Sequence, residues 1–149
     1  MDAADSSAAV VEVVVRGTAT RFAQDVQVGR HRLAGDEPAS AGGADAGPSP
    51  YDFLCIALGT CKSMTMGLYA RRKGWPVGHI TVRVTHSKIH AADCAHCETK
   101  EGTLDRIECT IELDGDLTPD QRSRLVEIAS RCPVHKTLTS EIDIQTRLV

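Results

Sequence analysis

Two of the six cysteines in this chain stand where a thiol can do chemistry. Cys61 lies inside a long apolar helical pattern, Tyr51-Asp52-Phe53-Leu54-Cys55-Ile56-Ala57-Leu58-Gly59-Thr60-Cys61, and Cys132 opens Cys132-Pro133-Val134-His135-Lys136 directly after a second helical pattern. They are 71 positions apart (132 − 61), so only the fold can bring them together. Brought together, they make a two-cysteine redox pair. Kept apart, they are core residues, since free cysteine is among the most buried residue types.

Each thiol carries its own expectation. Cys61 shares a helix stripe with Leu54, Ala57, Leu58, Thr65 and Leu68, deep in any crevice that an apolar molecule would enter. Apolar burial would raise its pKa and leave it inert unless a cation is supplied. Gly59, costly inside a helix, signals close approach by another backbone or a ligand. Cys132 precedes Pro133, an N1-type residue, and so suits the N-cap of a short helix Pro133–Leu138 with His135 one turn along. Helix N-termini stabilise anions and lower thiol pKa values; the alternative is a half-buried cysteine at a helix junction. Cys55 points about 120° away from Cys61 on the helix, and Cys109 falls on the apolar face of a strand. Both read as core.

A third group of chemically capable residues follows a strand pattern. Ile80, Val82 and Val84 share a face, and alternation continues through His86, Lys88 and His90 to Asp93-Cys94-Ala95-His96-Cys97-Glu98. Two imidazoles and a CxxC suit tetrahedral zinc, yet the order and spacing are not those of a zinc finger. CxxC also has a redox reading, which needs a thioredoxin-like context absent here. A metal site, a redox or substrate-gating role, and a solvated hairpin loop all stay open.

The elements that must position these residues are legible from pattern. Three strands are expected up to about Leu33, from the β-branched run Val10–Val15 and the alternation of Phe22, Val26 and Val28 with Arg21, Asp25 and Gln27. Ala34–Ser49, rich in Gly, Ala, Asp and Pro, reads as a long loop. Ser49, Pro50 and Asp52 start a helix that runs to about Lys73, where Gly74 and Pro76 stop it. Its stretch 53–61 is apolar or small nearly all round, which predicts a central, buried helix. Strands follow at about Ile80–His90 and Leu104–Leu113. Thr118-Pro119-Asp120-Gln121 then opens a second helix, about 119–131, with Leu125, Ile128, Ala129 and Cys132 on its apolar face. A last strand is expected from Ile142, Ile144 and Leu148 alternating with Glu141, Asp143 and Arg147. Strands with one polar face, in an order that is not regular βαβ, define an α+β class with two helices on antiparallel sheet.

Composition narrows the function. At 149 residues the chain makes one domain, residues 1–149, with room for a core. Seventeen Lys+Arg against 20 Asp+Glu give −3, which argues against nucleic-acid or anionic-membrane partners. Met1-Asp2-Ala3-Ala4-Asp5 lacks the basic region of a signal peptide, and no apolar stretch is expected to approach ~18 residues. A cytoplasmic protein is expected, and there six cysteines serve core, metal or redox roles rather than a disulfide scaffold.

Gly47-Pro48-Ser49-Pro50-Tyr51-Asp52-Phe53-Leu54 leading into Leu58-Gly59-Thr60-Cys61, followed by Arg131-Cys132-Pro133-Val134-His135-Lys136-Thr137-Leu138, resembles the OsmC/Ohr family of osmotically inducible protein C and the organic hydroperoxide resistance proteins. The resemblance implies antiparallel sheets around two central helices in an intertwined homodimer, with sites between subunits. It implies a thiol-dependent hydroperoxide reductase without a cofactor, with Cys61 reacting with the peroxide, Cys132 resolving it, and a small dithiol of the lipoyl type as reductant. One departure is clear. The family's Glu, ten residues before the reactive thiol, is here Tyr51, and Asp52 would sit about 180° from Cys61 on a straight helix, better suited to capping. Arg30 and Arg32 are the candidates for the family's Arg. Against this enzyme stand a non-catalytic protein that binds a small apolar molecule, or a metal at His86, His90, Cys94 and Cys97, and a structural dimer.

Overall fold

Alternating sequence becomes strand wherever an edge is available to pair. In a computed structural model, which describes residues 10–149, β1 (Val13–Thr18), β2 (Arg21–Val28) and β3 (His31–Gly35) form an antiparallel sheet in the order β1-β2-β3. Val15 faces Val26 and Val26 faces Leu33 across it. Gly29, at φ 55°, makes the β2–β3 turn. The loop that follows is held from within. Asp36, 3% exposed, accepts backbone N–H bonds from Glu37, Ala44 and Ala46 at 2.8, 3.2 and 3.1 Å. Those N–H donors, Ala46 foremost, hold its carboxyl below the usual range, with Arg21 adding a smaller pull in the same direction. The described chain divides into two compact units, this one ending at Phe53 and the other running from Leu54 to Val149. The N-terminal residues Met1–Asp5 lie outside the described region.

Helix α1 (Pro50–Lys73) has the limits its sequence predicts. Ser49 and Asp52 cap it reciprocally: the Asp52 N–H donates to Ser49 Oγ at 3.2 Å, and the Ser49 N–H donates to Asp52 Oδ2 at 2.9 Å. Asp52 is therefore a capping residue. Gly74, at φ 67°, ends the helix in the left-handed conformation that glycine adopts without strain. Two expectations about α1 are corrected. By length and composition it can cross a membrane, with mean hydropathy 1.3 over an 18-residue window, because Cys, Met and Ala count as apolar alongside Leu and Ile. It is also not buried all round. Leu58, Lys62, Met66 and Ala70, spaced by four, make up its buried stripe, while Leu54, Ile56 and Met64 are exposed.

β4 (Ile80–His90) and β5 (Thr103–Leu113) pair antiparallel along their whole length, from Ile80 opposite Leu113 to His90 opposite Thr103. Their apolar residues, with Met66 and Ala70 of α1 and Leu117, Leu125 and Ala129, form the core of the second unit. α2 (Pro119–Ala129) opens with a complete capping box between Thr118 and Gln121. Gly59 is explained here: a Cβ added to it would lie 3.1 Å from a Val84 methyl on β4, so within the chain it is a neighbouring side chain, not a backbone, that approaches closely.

The expected last strand does not form among the described residues. From Glu141 to Val149 the chain is irregular and has no ladder partners, with Ile144 81% and Leu148 99% exposed. Alternation makes a segment competent for a sheet, but a strand exists only where another edge takes its N–H and C=O groups.

Candidate active site

Three elements of the second unit converge on a small polar island in an apolar core. α2 ends at Ala129, and after a two-residue turn Cys132 caps α3 (Pro133–Leu138) with φ −63° and ψ 149°. The His135 backbone N–H donates to Cys132 Sγ at 3.4 Å, as the Cys-Pro-x-His order predicts. From α1, the Cys61 thiol lies within hydrogen-bonding reach of Cys132. Both thiols are free. The fold thus brings together the two cysteines 71 positions apart.

Their environments are the reverse of the sequence expectation. Cys132 is the deeper thiol, fully enclosed at 0% exposed, and Cys61 is only half-buried. Burial pushes the Cys132 thiol up, the His135 N–H pulls it down, the Cys61 thiol beside it pushes it up again, and Lys62 pulls it down; the balance is upward. The lowering expected of a helix N-terminus is present in that N–H contact but is outweighed by desolvation.

Lys62 was not among the residues singled out from sequence. It is 5% exposed, and its Nζ donates to the Ala129 carbonyl at 3.0 Å and lies 3.0 Å from His135 Nδ1. Its spacing of four from both Leu58 and Met66 was the available signal, masked because a lysine in an apolar stripe normally reaches for solvent. Burial and the Lys62 charge together lower the pKa of His135. The ring is therefore neutral at pH 7, with Nδ1 free to accept from Nζ. Lys62 and His135 line a cavity of about 390 Å³ with Leu58, Ile107, Cys109 and Leu138. In Cys109, burial raises the thiol's pKa, Lys62 opposes this and Cys55 adds to it, so these two cysteines are neighbours between α1 and β5.

The remaining candidates of the second unit go elsewhere. Cys94 and Cys97 form a disulfide in the loop between β4 and β5. The His86 ring Nε2 lies 2.7 Å from Asp105 Oδ1, which also accepts from Lys88 at 2.8 Å. His90 is exposed at the strand end. Among the described residues no three His, Cys, Asp or Glu side chains are grouped to hold a metal. The four-ligand site is not assembled: its two thiols are used in a bond and one imidazole is paired across the strands. Arg30 and Arg32 are exposed on the first unit, in the β2–β3 turn and on β3.

An α+β chain with antiparallel sheets and packed helices has clear counterparts in fold. Residues 42–147 match the family described as OsmC-like protein, and the chain belongs to that family. No curated protein matches it. Among solved structures it is similar to the OsmC-like protein of Mycoplasma pneumoniae, at TM-score 0.67 and 18% identity over 87% of this chain and 86% of that one. The organic hydroperoxide resistance protein OhrB of Bacillus subtilis gives TM-score 0.62 and 18% identity over 90% and 93%. A protein of the same description from Elizabethkingia anophelis gives 0.66 and 17% over 90% and 91%. At such identities the likeness is one of fold.

Proposed function

We propose that the protein is a thiol-dependent hydroperoxide reductase, one domain over residues 1–149, acting on organic hydroperoxides in the reducing cytoplasm. The observation that carries this reading is the contact between the Cys61 and Cys132 thiols. Cys61, the accessible member, attacks the O–O bond as thiolate. An S–O bond forms, the O–O bond breaks, and the alkoxide leaves as alcohol after taking a proton, so Cys61 becomes a sulfenic acid. Cys132 then displaces hydroxide from that sulfur, and water leaves as the disulfide forms. A small dithiol returns two electrons and two protons. No cofactor is needed, and Tyr51 in place of a carboxylate leaves the pair to be set by its own surroundings.

Similarity in fold to proteins described as organic hydroperoxide resistance proteins supports the substrate class. The test is turnover. Purified protein with a lipoyl-type dithiol should consume an organic hydroperoxide well above the rate of the same concentration of free cysteine. Consumption no faster than free cysteine contradicts the reading. A non-catalytic binding protein would then lead, supported by the apolar cavity of about 360 Å³ among Val15, Phe22, Val26, Pro48 and Phe53.

The working form in this reading is a homodimer. The exposed Leu54, Ile56, Met64 and Leu68 on α1, with the unpaired Ile142 and Ile144, leave apolar surface that a second copy would cover. Sedimentation at micromolar concentration should give a dimer, and a stable monomer contradicts this.

A further inference from the structure

Lys62 is a buried cation without an ion-pair partner: among the described residues it takes part in none of the ion pairs, and Asp105, which lines the same cavity, is paired with Lys88 and His86 instead. Holding an ammonium away from water is costly unless something offsets it, and its hydrogen-bond partners among the described residues are neutral. Both belong to the segment that carries Cys132. The Ala129 carbonyl that accepts from Nζ at 3.0 Å also accepts the Cys132 N–H at 3.3 Å. The His135 whose Nδ1 lies 3.0 Å from Nζ also gives its backbone N–H to Cys132 Sγ. One ammonium therefore holds the turn on both sides of the deeper thiol, and its field falls on that thiol. A charge kept in place this way awaits an anion that forms only during the reaction.

Resting on the peroxidase reading, we infer that Lys62 is the positioning residue of the resolving step, its ammonium supplying the positive charge that lets buried Cys132 attack as a thiolate. In that step the Cys132–Cys61 S–S bond forms, the S–O bond of the sulfenic acid breaks, and the displaced hydroxide leaves with the thiol proton as water. No other group facing Cys132 does this. Cys61 on α1 raises the barrier to its ionisation, and His135 on α3 is neutral. On β5, Asp105 in the same cavity is held by Lys88 and His86 of β4, and Cys109 is a raised thiol beside Cys55.

The experiment is quenched-flow intact mass on reduced full-length protein given one equivalent of tert-butyl hydroperoxide, from about pH 6 to about pH 11, which carries the titration past the ordinary thiol value and into the raised range of Cys132. Wild type, Lys62→Met and Lys62→Arg are compared. Losing the charge lowers the thiolate fraction tenfold per pKa unit, while intrinsic nucleophilicity recovers about threefold, leaving about threefold net per unit. Lys62→Met should therefore form the disulfide about 3- to 10-fold more slowly at neutral pH, with sulfenic acid accumulating. The deficit should stay level while Cys132 is protonated and close as pH passes its raised pKa, and Lys62→Arg should keep most of the wild-type rate. A merely structural role would slow Lys62→Met equally at every pH, and that outcome overturns the inference. So does an unchanged Lys62→Met rate at neutral pH, or a Lys62→Arg rate as low as that of Lys62→Met. A wild type that makes no disulfide at all sinks the peroxidase reading itself, and is told apart because it needs no variant.

Discussion

Replacing Cys61 by serine is expected to abolish hydroperoxide consumption, a loss on the order of 10³-fold or more, as when a nucleophile is removed from a catalytic unit. A serine hydroxyl is not ionised near neutrality and cannot form the S–O bond. Cys132 should not substitute for it, because that thiol is fully enclosed and its pKa is raised by burial. The companion variant behaves differently. Cys132→Ser should consume one equivalent of hydroperoxide and stop with a gain of one oxygen, then pass to the sulfinic acid under excess peroxide. Peroxide assays and intact mass check both. Equal residual turnover in the two variants would contradict the division of labour between the thiols.

The second large effect is on stability. Leu125 is completely enclosed between α1, α2 and the β4–β5 pair. Leu125→Ala should lower the unfolding free energy by about 2–5 kcal/mol, the transfer term plus the cavity left behind. Denaturant midpoints at unchanged slope measure it, and a loss below about 1 kcal/mol would mean that the site collapses freely or is not core. The same cavity would open one turn from Ala129, whose carbonyl holds Lys62. Slower disulfide formation in that variant is thus an expected companion.

Much of this was readable from residues because local chemistry decided it. Ser49, Pro50 and Asp52 fix the start of α1, Gly74 fixes its end, and Thr118 with Gln121 starts α2. Cys132 before Pro133 predicts the cap that forms. What was not readable depends on contacts that sequence does not contain. Lys62 is buried because neutral acceptors from α2 and α3 meet it, and those acceptors lie 67 and 73 positions away. The Cys132 pKa rises because packing encloses it more fully than a helix junction implies. The Cys94–Cys97 bond removes two ligands from the imagined metal set. Ile142 and Ile144 alternate correctly but find no edge within the described chain, which is why a pattern read as a strand is irregular chain here.

The most direct test of the central claim is to oxidise reduced wild-type protein with a small excess of organic hydroperoxide and map the disulfide by peptide mass. The account predicts a Cys61–Cys132 bond, a loss of two hydrogens, and full reversal by a dithiol. New oxidation confined to Cys94 and Cys97, or a Cys61 and Cys132 pair that stays reduced while peroxide is present, would contradict it.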